Sequence, residues 1–371
     1  MKAFTALGMI LLLANLPVAN SAGQGKEKEK DLKTAREKGL DWLTKHQAKD
    51  GSWGKIWQIP ITSFACLSFL AAADEPFTGD RGKALERGLQ YLLSRQKDGK
   101  FDDTKDDRSR WIHGQGFGTL ALSEAYGRSL FCKTKPDLDM KKVRTIVAQS
   151  IKIIGKNQSK SGGWWYEPGF PNDHEGSTTV CAVQAIVSAS NFDIAIDRTV
   201  LDKGFDYLKK CQTKEGGFNY TLGDGKNMVD GSKAGMATLG LMQKFDNQVM
   251  VKAYQFLLKI GDGWAEFPYY GFFYGCMGMR LLGQEFGDDK EYRTKTASNV
   301  AAIQKRLMSW QKKDGTWPIE GWAATSPIAK VANPDYPTAI ATLTLFIPDG
   351  RLSIFNRTPP KLPKKDGAKK E

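Results

Sequence analysis

Asp173-His174-Glu175 puts three ionisable side chains in a row just ahead of an apolar segment that starts near Ser177. A carboxyl group drawn into a dry site keeps its proton to higher pH, so an acid placed there can protonate a substrate. Imidazole titrates near neutrality and suits a partner role. The chain holds only His46, His113 and His174, and two of these precede apolar segments. Asp173, Glu175, His174 and His113 are therefore the candidate catalytic groups. Capping explains the same two carboxylates, because acids favour a helix N-terminus. Asp102-Asp103-Thr104-Lys105-Asp106 is a second acidic stretch. On a helix, its carboxylates four apart could grip a hard cation; after a glycine turn and beside Asp107, Arg108 and Arg110 it reads as a solvated loop.

Metal-ligand spacing is otherwise absent: there is no CxxC and no HExxH, and too few histidines stand ready for zinc. No metal site is expected, and no pattern points to a cofactor. No GxSxG, phosphate-binding loop or thioester motif occurs either. Aromatic residues are dense near the same segments. The run Tyr269-Tyr270-Gly271-Phe272-Phe273-Tyr274 exceeds any structural need that its surroundings explain. Trp165, Tyr270, Phe273 and Tyr336 are the candidate substrate-binding residues, able to line an apolar pocket or stack on sugar rings.

These residues hang on a repeat. Gln-x-x-x-Gly-x-Trp/Phe occurs at Gln47–Trp53, Gln158–Trp164, Gln212–Phe218 and Gln311–Trp317, with shorter copies at Gln96–Phe101 and Lys259–Trp264. Their first positions lie 49, 62, 54, 47 and 52 residues apart, the mark of an array of like units. Ahead of three copies, Gly39, Gly88 and Gly204 begin a helical stripe with an aromatic at +3 and Leu at +4. The motif glycine ends that amphipathic helix. A second helix then follows, apolar and rich in small residues, over Thr62–Ala73, Phe117–Tyr126, Thr178–Ala189, Lys233–Met242, Phe273–Leu282 and Pro337–Phe346. Six such hairpins predict an all-α (α/α)6 toroid, apolar helices inside and amphipathic ones outside. An open solenoid is the alternative. The functional candidates fall in the loops leading into inner helices, at one mouth of the ring, and lone Ser and Thr there (Thr62, Ser177, Thr178, Ser232, Thr338) read as caps.

With its Gln–Trp repeats, the chain resembles the terpenoid cyclase and protein-prenyltransferase β-subunit superfamily over nearly its whole mature length. It is most similar to the secreted bacterial prenyltransferase/squalene-oxidase repeat proteins, through His113–Gly127, Ser177–Gln184 and Leu352–Arg357. The resemblance implies a single toroid and brings no activity with it. In protonation-type cyclases an Asp-x-Asp-Asp stretch supplies the initiating proton; Asp173-His174-Glu175-Gly176 stands in the comparable loop without completing that pattern. The resemblance would make Asp173 or Glu175 the donor, with His113 and His174 as polar partners. Asp102–Asp106 matches literally the DDxxD pattern of ionisation-type synthases. The prenyltransferase zinc site needs an Asp-x-Cys pair, which this chain lacks. Two readings follow: a cavity for an extended apolar, isoprenoid-like molecule, or a non-catalytic envelope scaffold binding protein or polysaccharide. A polysaccharide lyase or hydrolase on the same fold is a third, by analogy of fold.

Met1–Ala22 reads as a secretory signal: Lys2, an apolar run to Leu16, then small residues. That run is short for a membrane span, and the rest holds none. A secreted or periplasmic protein is expected, with 23–30 a charged linker, 31–355 one toroid domain and 356–371 a basic disordered tail. The formal charge of +13 arises from 54 basic and 41 acidic residues spread along outer helices. Export argues against a nucleic-acid partner. Five cysteines, an odd number, leave at least one thiol unpaired within the chain. Cys66, Cys181 and Cys276 fall in inner helices and read as buried small hydrophobes.

Overall fold

A computed structural model describes residues 21–101, 111–225, 229–245, 247–260, 267–319, 333–358 and 361–362, with side chains from residue 29 onward. Among the described residues, twelve α-helices alternate between two rings. The outer ring is α1 (Ser21–Lys45), α3 (Gly79–Ser94), α5 (Met140–Lys156), α7 (Arg198–Cys211), α9 (Gln248–Ile260) and α11 (Lys290–Trp310). The inner ring is α2 (Gln58–Ala72), α4 (Trp111–Phe131), α6 (Gly176–Ser190), α8 (Val229–Leu241), α10 (Pro268–Glu285) and α12 (Asp335–Phe346). Each inner helix touches the next, and α12 returns to α2 while α11 and α12 both meet α1. The ring is closed. The protein is an all-α (α/α)6 toroid.

The motif residues explain the closure. Gln47 Nε2 donates to the carbonyl of Gly51 and to that of Ala84 in the next outer helix. Gln158 and Gln212 repeat both bonds, to Gly162 and Val200 and to Gly216 and Val249. Gln311 bonds Gly315 and then Ala35, joining the last unit to the first at 2.9 Å. The motif glycine must have no side chain: Gly216 has φ 100°, and a Cβ there would collide with the Lys252 carbonyl. The indoles of Trp53, Trp164 and Trp317 each donate to a carbonyl ten residues back, on Leu43, Ile154 and Leu307. Their backbone N–H groups reach hydroxyls of Thr62, Thr179 and Thr338. Ser232 does the same for Phe218 and the Gln115 amide for Phe101. Thr62, Ser232 and Thr338 thus cap the preceding loop rather than their own helix.

The shortened copy at Gln96–Phe101 folds differently. With one residue fewer it closes as a two-residue hairpin, Gln96 opposite Phe101, with Asp98 and Gly99 both at positive φ. Gln96 bonds locally, to Gly99 N and Leu93 O, and Ser150 of α5 takes over the cross-unit contact through the Gly99 carbonyl. Most of the other shortened copy, and Asp102–Asp106, lie outside the described residues.

Two expectations change. The stretch 23–30, read as a charged linker, belongs to α1, whose backbone is helical from Ser21; Lys and Glu are strong helix formers and no breaker follows Gly25. Inner helices also start earlier than the apolar pattern: α4 at Trp111 rather than Phe117, α10 at Pro268 rather than Phe273. Their first turns are aromatic or polar, so the apolar pattern missed them. All five cysteines are free and buried, Cys66, Cys181 and Cys276 completely, and burial pushes the Cys276 thiol up to about 12.

After α12 the chain crosses the far end of the ring. Ile347–Asp349 and Ser353–Phe355 form two short 3-10 turns, with Ile354 and Phe355 buried. Glu124 of α4, fully buried, accepts bonds from Ser353 N at 2.8 Å, Ser353 Oγ at 2.6 Å and Ser188 Oγ at 2.8 Å. Arg280 of α10 donates to the carbonyls of Phe355 and Pro348 and to Asn356 Oδ1. Asn191 at the end of α6 donates to Ser353 Oγ. The segment closes that end as a plug.

Candidate functional site

The opposite end, where inner helices begin, holds the candidate residues. Glu175 is the N-cap of α6 and only 1% exposed. It accepts from Ser177 N at 2.7 Å, Ser177 Oγ at 2.7 Å and Thr178 N at 2.9 Å, and the Tyr166 hydroxyl also bonds it. Burial pushes its pKa up and these donors pull it back. The bonds are the cap's, so the residue does structural work at the rim.

Tyr166 links the rest. Its hydroxyl lies 2.7 Å from that of Tyr220, and its ring stacks 5.7 Å from the His113 imidazole. Ile112 N donates to the Tyr166 carbonyl, tying the loop to α4. His113, expected in the loop before an inner helix, stands instead in the first turn of α4. Through Tyr166, His113 and Glu175 come to one place. Asp173 does not join them: its side chain is exposed. His174 turns toward the outer helix α7, its Nδ1 3.3 Å from the Tyr207 hydroxyl. Desolvation lowers its pKa and Asp173 partly opposes this.

The aromatic candidates divide by depth. Trp165 is half-buried at the rim, edge-on to Tyr166 at 5.1 Å. Tyr270 and Tyr336 stand within the ring, and desolvation raises both phenols far above their ordinary range. Each nevertheless keeps accessible surface. Both side chains are thus enclosed by protein without being fully covered. Tyr270 reaches across to α6, its hydroxyl 3.3 Å from the Ser177 carbonyl, and Tyr274 below it bonds Gln184 Oε1 at 3.1 Å. Phe273 is fully buried.

Phe64, which sequence reasoning passed over, ties the centre together. Its ring lies 4.4 Å from Phe117, 5.9 Å from Phe273 and 6.1 Å from Tyr336. Three inner helices thus meet α2 at one side chain, and α10 is not even its ring neighbour. Trp57, the N-cap of α2, is also new: a bulky residue held at φ 50°, half-buried at the same mouth. In sequence, Trp57 carried no signal beyond its place before an apolar run. Among the described residues no three His, Cys, Asp or Glu side chains are grouped to hold a metal ion.

Residues 137–262 match the Prenyltransferase alpha-alpha toroid domain. A terpene cyclase–glycosyl transferase fusion protein from Humicola fuscoatra is 23% identical over 215 residues, 49% of this chain and 15% of that protein. A probable squalene–hopene cyclase from Sinorhizobium fredii is 23% identical over 219 residues, 50% of this chain and 31% of its own length. The chain therefore spans less than a third of either relative. Among solved structures, a type II terpene cyclase from Scytonema bound to geranylgeranyl dihydroxybenzoate superposes with a TM-score of 0.55 at 15% identity, covering 88% of this chain and 99% of the other. An α-1,6-mannanase from Salegentibacter reaches 0.60 at 9% identity, covering 86% and 98%. Over about half its length in sequence, and in fold, the chain is similar to terpenoid cyclases. The same toroid is also the mannanase's, so fold alone selects no substrate.

Proposed function

We propose that the hollow at the inner-helix N-termini binds the apolar chain of an isoprenoid-type small molecule. The observation that carries this reading is the accessible surface of Tyr270 and Tyr336 within a ring otherwise floored by Phe64, Phe117 and Phe273. In this reading Tyr270 and Tyr336 are the walls, Phe273 belongs to the floor, and Trp165 flanks the rim. Glu175 and His113, joined through Tyr166, give the pocket its polar side. Glu175 already accepts four donors, which suits holding the rim better than releasing a proton. We therefore read the protein as a binder that does not start a protonation cascade, with Asp173 and His174 outside the pocket. In this reading the signal-like Met1–Ala22 would direct the protein out of the cytoplasm.

The test is native mass spectrometry of the purified full chain with added geraniol. A one-to-one adduct is expected, and Tyr336→Trp, which fills the hollow, should remove it while circular dichroism stays helical. No adduct with the wild-type chain sinks the reading. A second reading, an oligosaccharide ligand, draws on the half-buried Trp165, Tyr166 and Tyr220 at the rim, aromatic faces with hydroxyls attached. Titration with mannotriose in place of geraniol decides between the two.

A further inference from the structure

We infer that the outer face of α5, continued by Lys160 and Lys203, is a docking surface for an acidic polysaccharide, whatever the ring encloses. Residues 140–166 contain Lys141, Lys142, Arg144, Lys152, Lys156 and Lys160 and no Asp or Glu. All six side chains are exposed, and none makes an ion pair among the described residues. The other outer helices offset their charge. Acidic residues occur on α1, α3, α7 and α11, and α9, which has none, holds only Lys252 and Lys259. Lys152 and Lys156 stand four residues apart, where like charges repel on a helix. A face that is merely solvated mixes signs; α5 keeps one.

The cations form a line. Lys141, Lys152 and Lys156 fall within about 60° of one another around α5 and span roughly 22 Å along it. Near the mouth the line crosses to the next unit. Gly155 packs on Val200 of α7, where an added Cβ would meet Val200 Cγ2 at 3.4 Å, and Gly162 lies against the Lys203 carbonyl. Lys203 is exposed there, two residues of the Lys160 turn away from that contact. Asp202 turns toward Lys244, 3.9 Å away, and Asp206 stays exposed one turn beyond Lys203.

A stripe running along an outer helix climbs the wall of the toroid, so a flat surface laid on the mouth would touch only its end. A linear polyanion can lie along all of it. Exposed Thr145 and half-buried Gln149, between the lysines, offer a hydroxyl and an amide to sugar hydroxyls. No aromatic residue occurs in α5 on which a nucleobase could stack. The partner that fits is a glycan with a carboxylate on successive sugars.

The full chain is titrated by calorimetry with polygalacturonate, neutral dextran and duplex DNA. Polygalacturonate should bind, and weaken about tenfold or more between roughly 50 and 300 mM sodium chloride. Dextran should not bind, and DNA should bind at least about tenfold more weakly. Lys152→Glu with Lys156→Glu should weaken polygalacturonate binding about tenfold or more. Lys33→Glu with Lys83→Glu, an equal change of charge at exposed positions of α1 and α3, should alter it less than about threefold. If the α5 variant is not helical by circular dichroism, Lys152→Gln with Lys156→Gln decides, with a loss of about threefold or more expected. Equal losses in the α5 and the α1–α3 variants would mean that net charge alone attracts the polymer, and overturn the inference. No binding by the wild type, binding of dextran, or DNA binding as tight as that of polygalacturonate overturns it too.

Discussion

At the N-terminal ends of the inner helices Tyr270 and Tyr336 are only partly covered, while at the C-terminal ends Ile354 and Phe355 are sealed. Both ends carry a buried glutamate. Glu175 caps the helix it precedes, and its remaining partner is a rim tyrosine. Glu124 grips a segment more than two hundred residues away in sequence. The same helix bundle thus uses a carboxylate locally at one end and over long range at the other. A ring that must enclose something needs one end of each kind, and ring closure alone supplies neither.

The seam shared by both ends should show the largest effect. Trp317→Ala removes a buried indole, its bond to Leu307 and its packing against Gly39 of α1. A loss of about 3–5 kcal/mol is expected in urea denaturation. A change below 1 kcal/mol would mean that the first and last units hold each other by other means. Next comes the plugged end. Arg280→Ala breaks three bonds to the segment 348–356 and should cost about 2–4 kcal/mol, with new protease cuts after residue 346. Equal cutting of wild type and variant would show that the plug is not held from α10.

Glu124 adds a pH signature. Burial raises its folded pKa above the unfolded value, with bonds from Ser353, Ser188 and Ile354 opposing. The folded state therefore binds this proton more tightly, so the group's contribution is full below the unfolded pKa and declines as pH rises through the folded one. The stability gap between wild type and Glu124→Gln should accordingly be wider at pH 4 than at pH 7.5 in matched urea titrations. A gap that widens with rising pH would mean that the bonds from the plug outweigh desolvation.

The sequence and the structure part company at readable places. Glutamine and glycine recur at fixed spacing because each unit makes the same two bonds, so periodicity revealed the toroid. Closure through Gln311 and Ala35 was not periodic information; it depends on the number of units and the angle between them. The cysteines of the inner ring were legible because an apolar helix offers no other environment. Glu124 did carry a signal, as the one charged residue between Trp111 and Ala125 of an inner helix, but its partner Ser353 lies in a segment with no repeat pattern. Phe64 had none: in an apolar helix one phenylalanine looks like any other until ring geometry turns it to the axis. At the mouth, Asp173, His174 and Glu175 are contiguous in sequence and go to three different environments, because an extended strand entering a helix alternates its side chains.

That divergence gives the smallest and most discriminating effect. Asp173→Asn alters an exposed carboxylate, so stability should change by less than about 0.5 kcal/mol. On the proposed reading, geraniol binding should not change either, because the side chain is outside the pocket. Glu175→Gln, two residues later, keeps the shape but replaces a carboxylate that accepts four donors with an amide that must present two of its own. It should cost about 1–2 kcal/mol through the cap and weaken ligand binding by loosening Tyr166. Measuring melting and binding on both variants separates the neighbours. If Asp173→Asn abolishes binding with stability intact, the acid that matters is the exposed one, and the pocket must be read from the loop rather than from the ring.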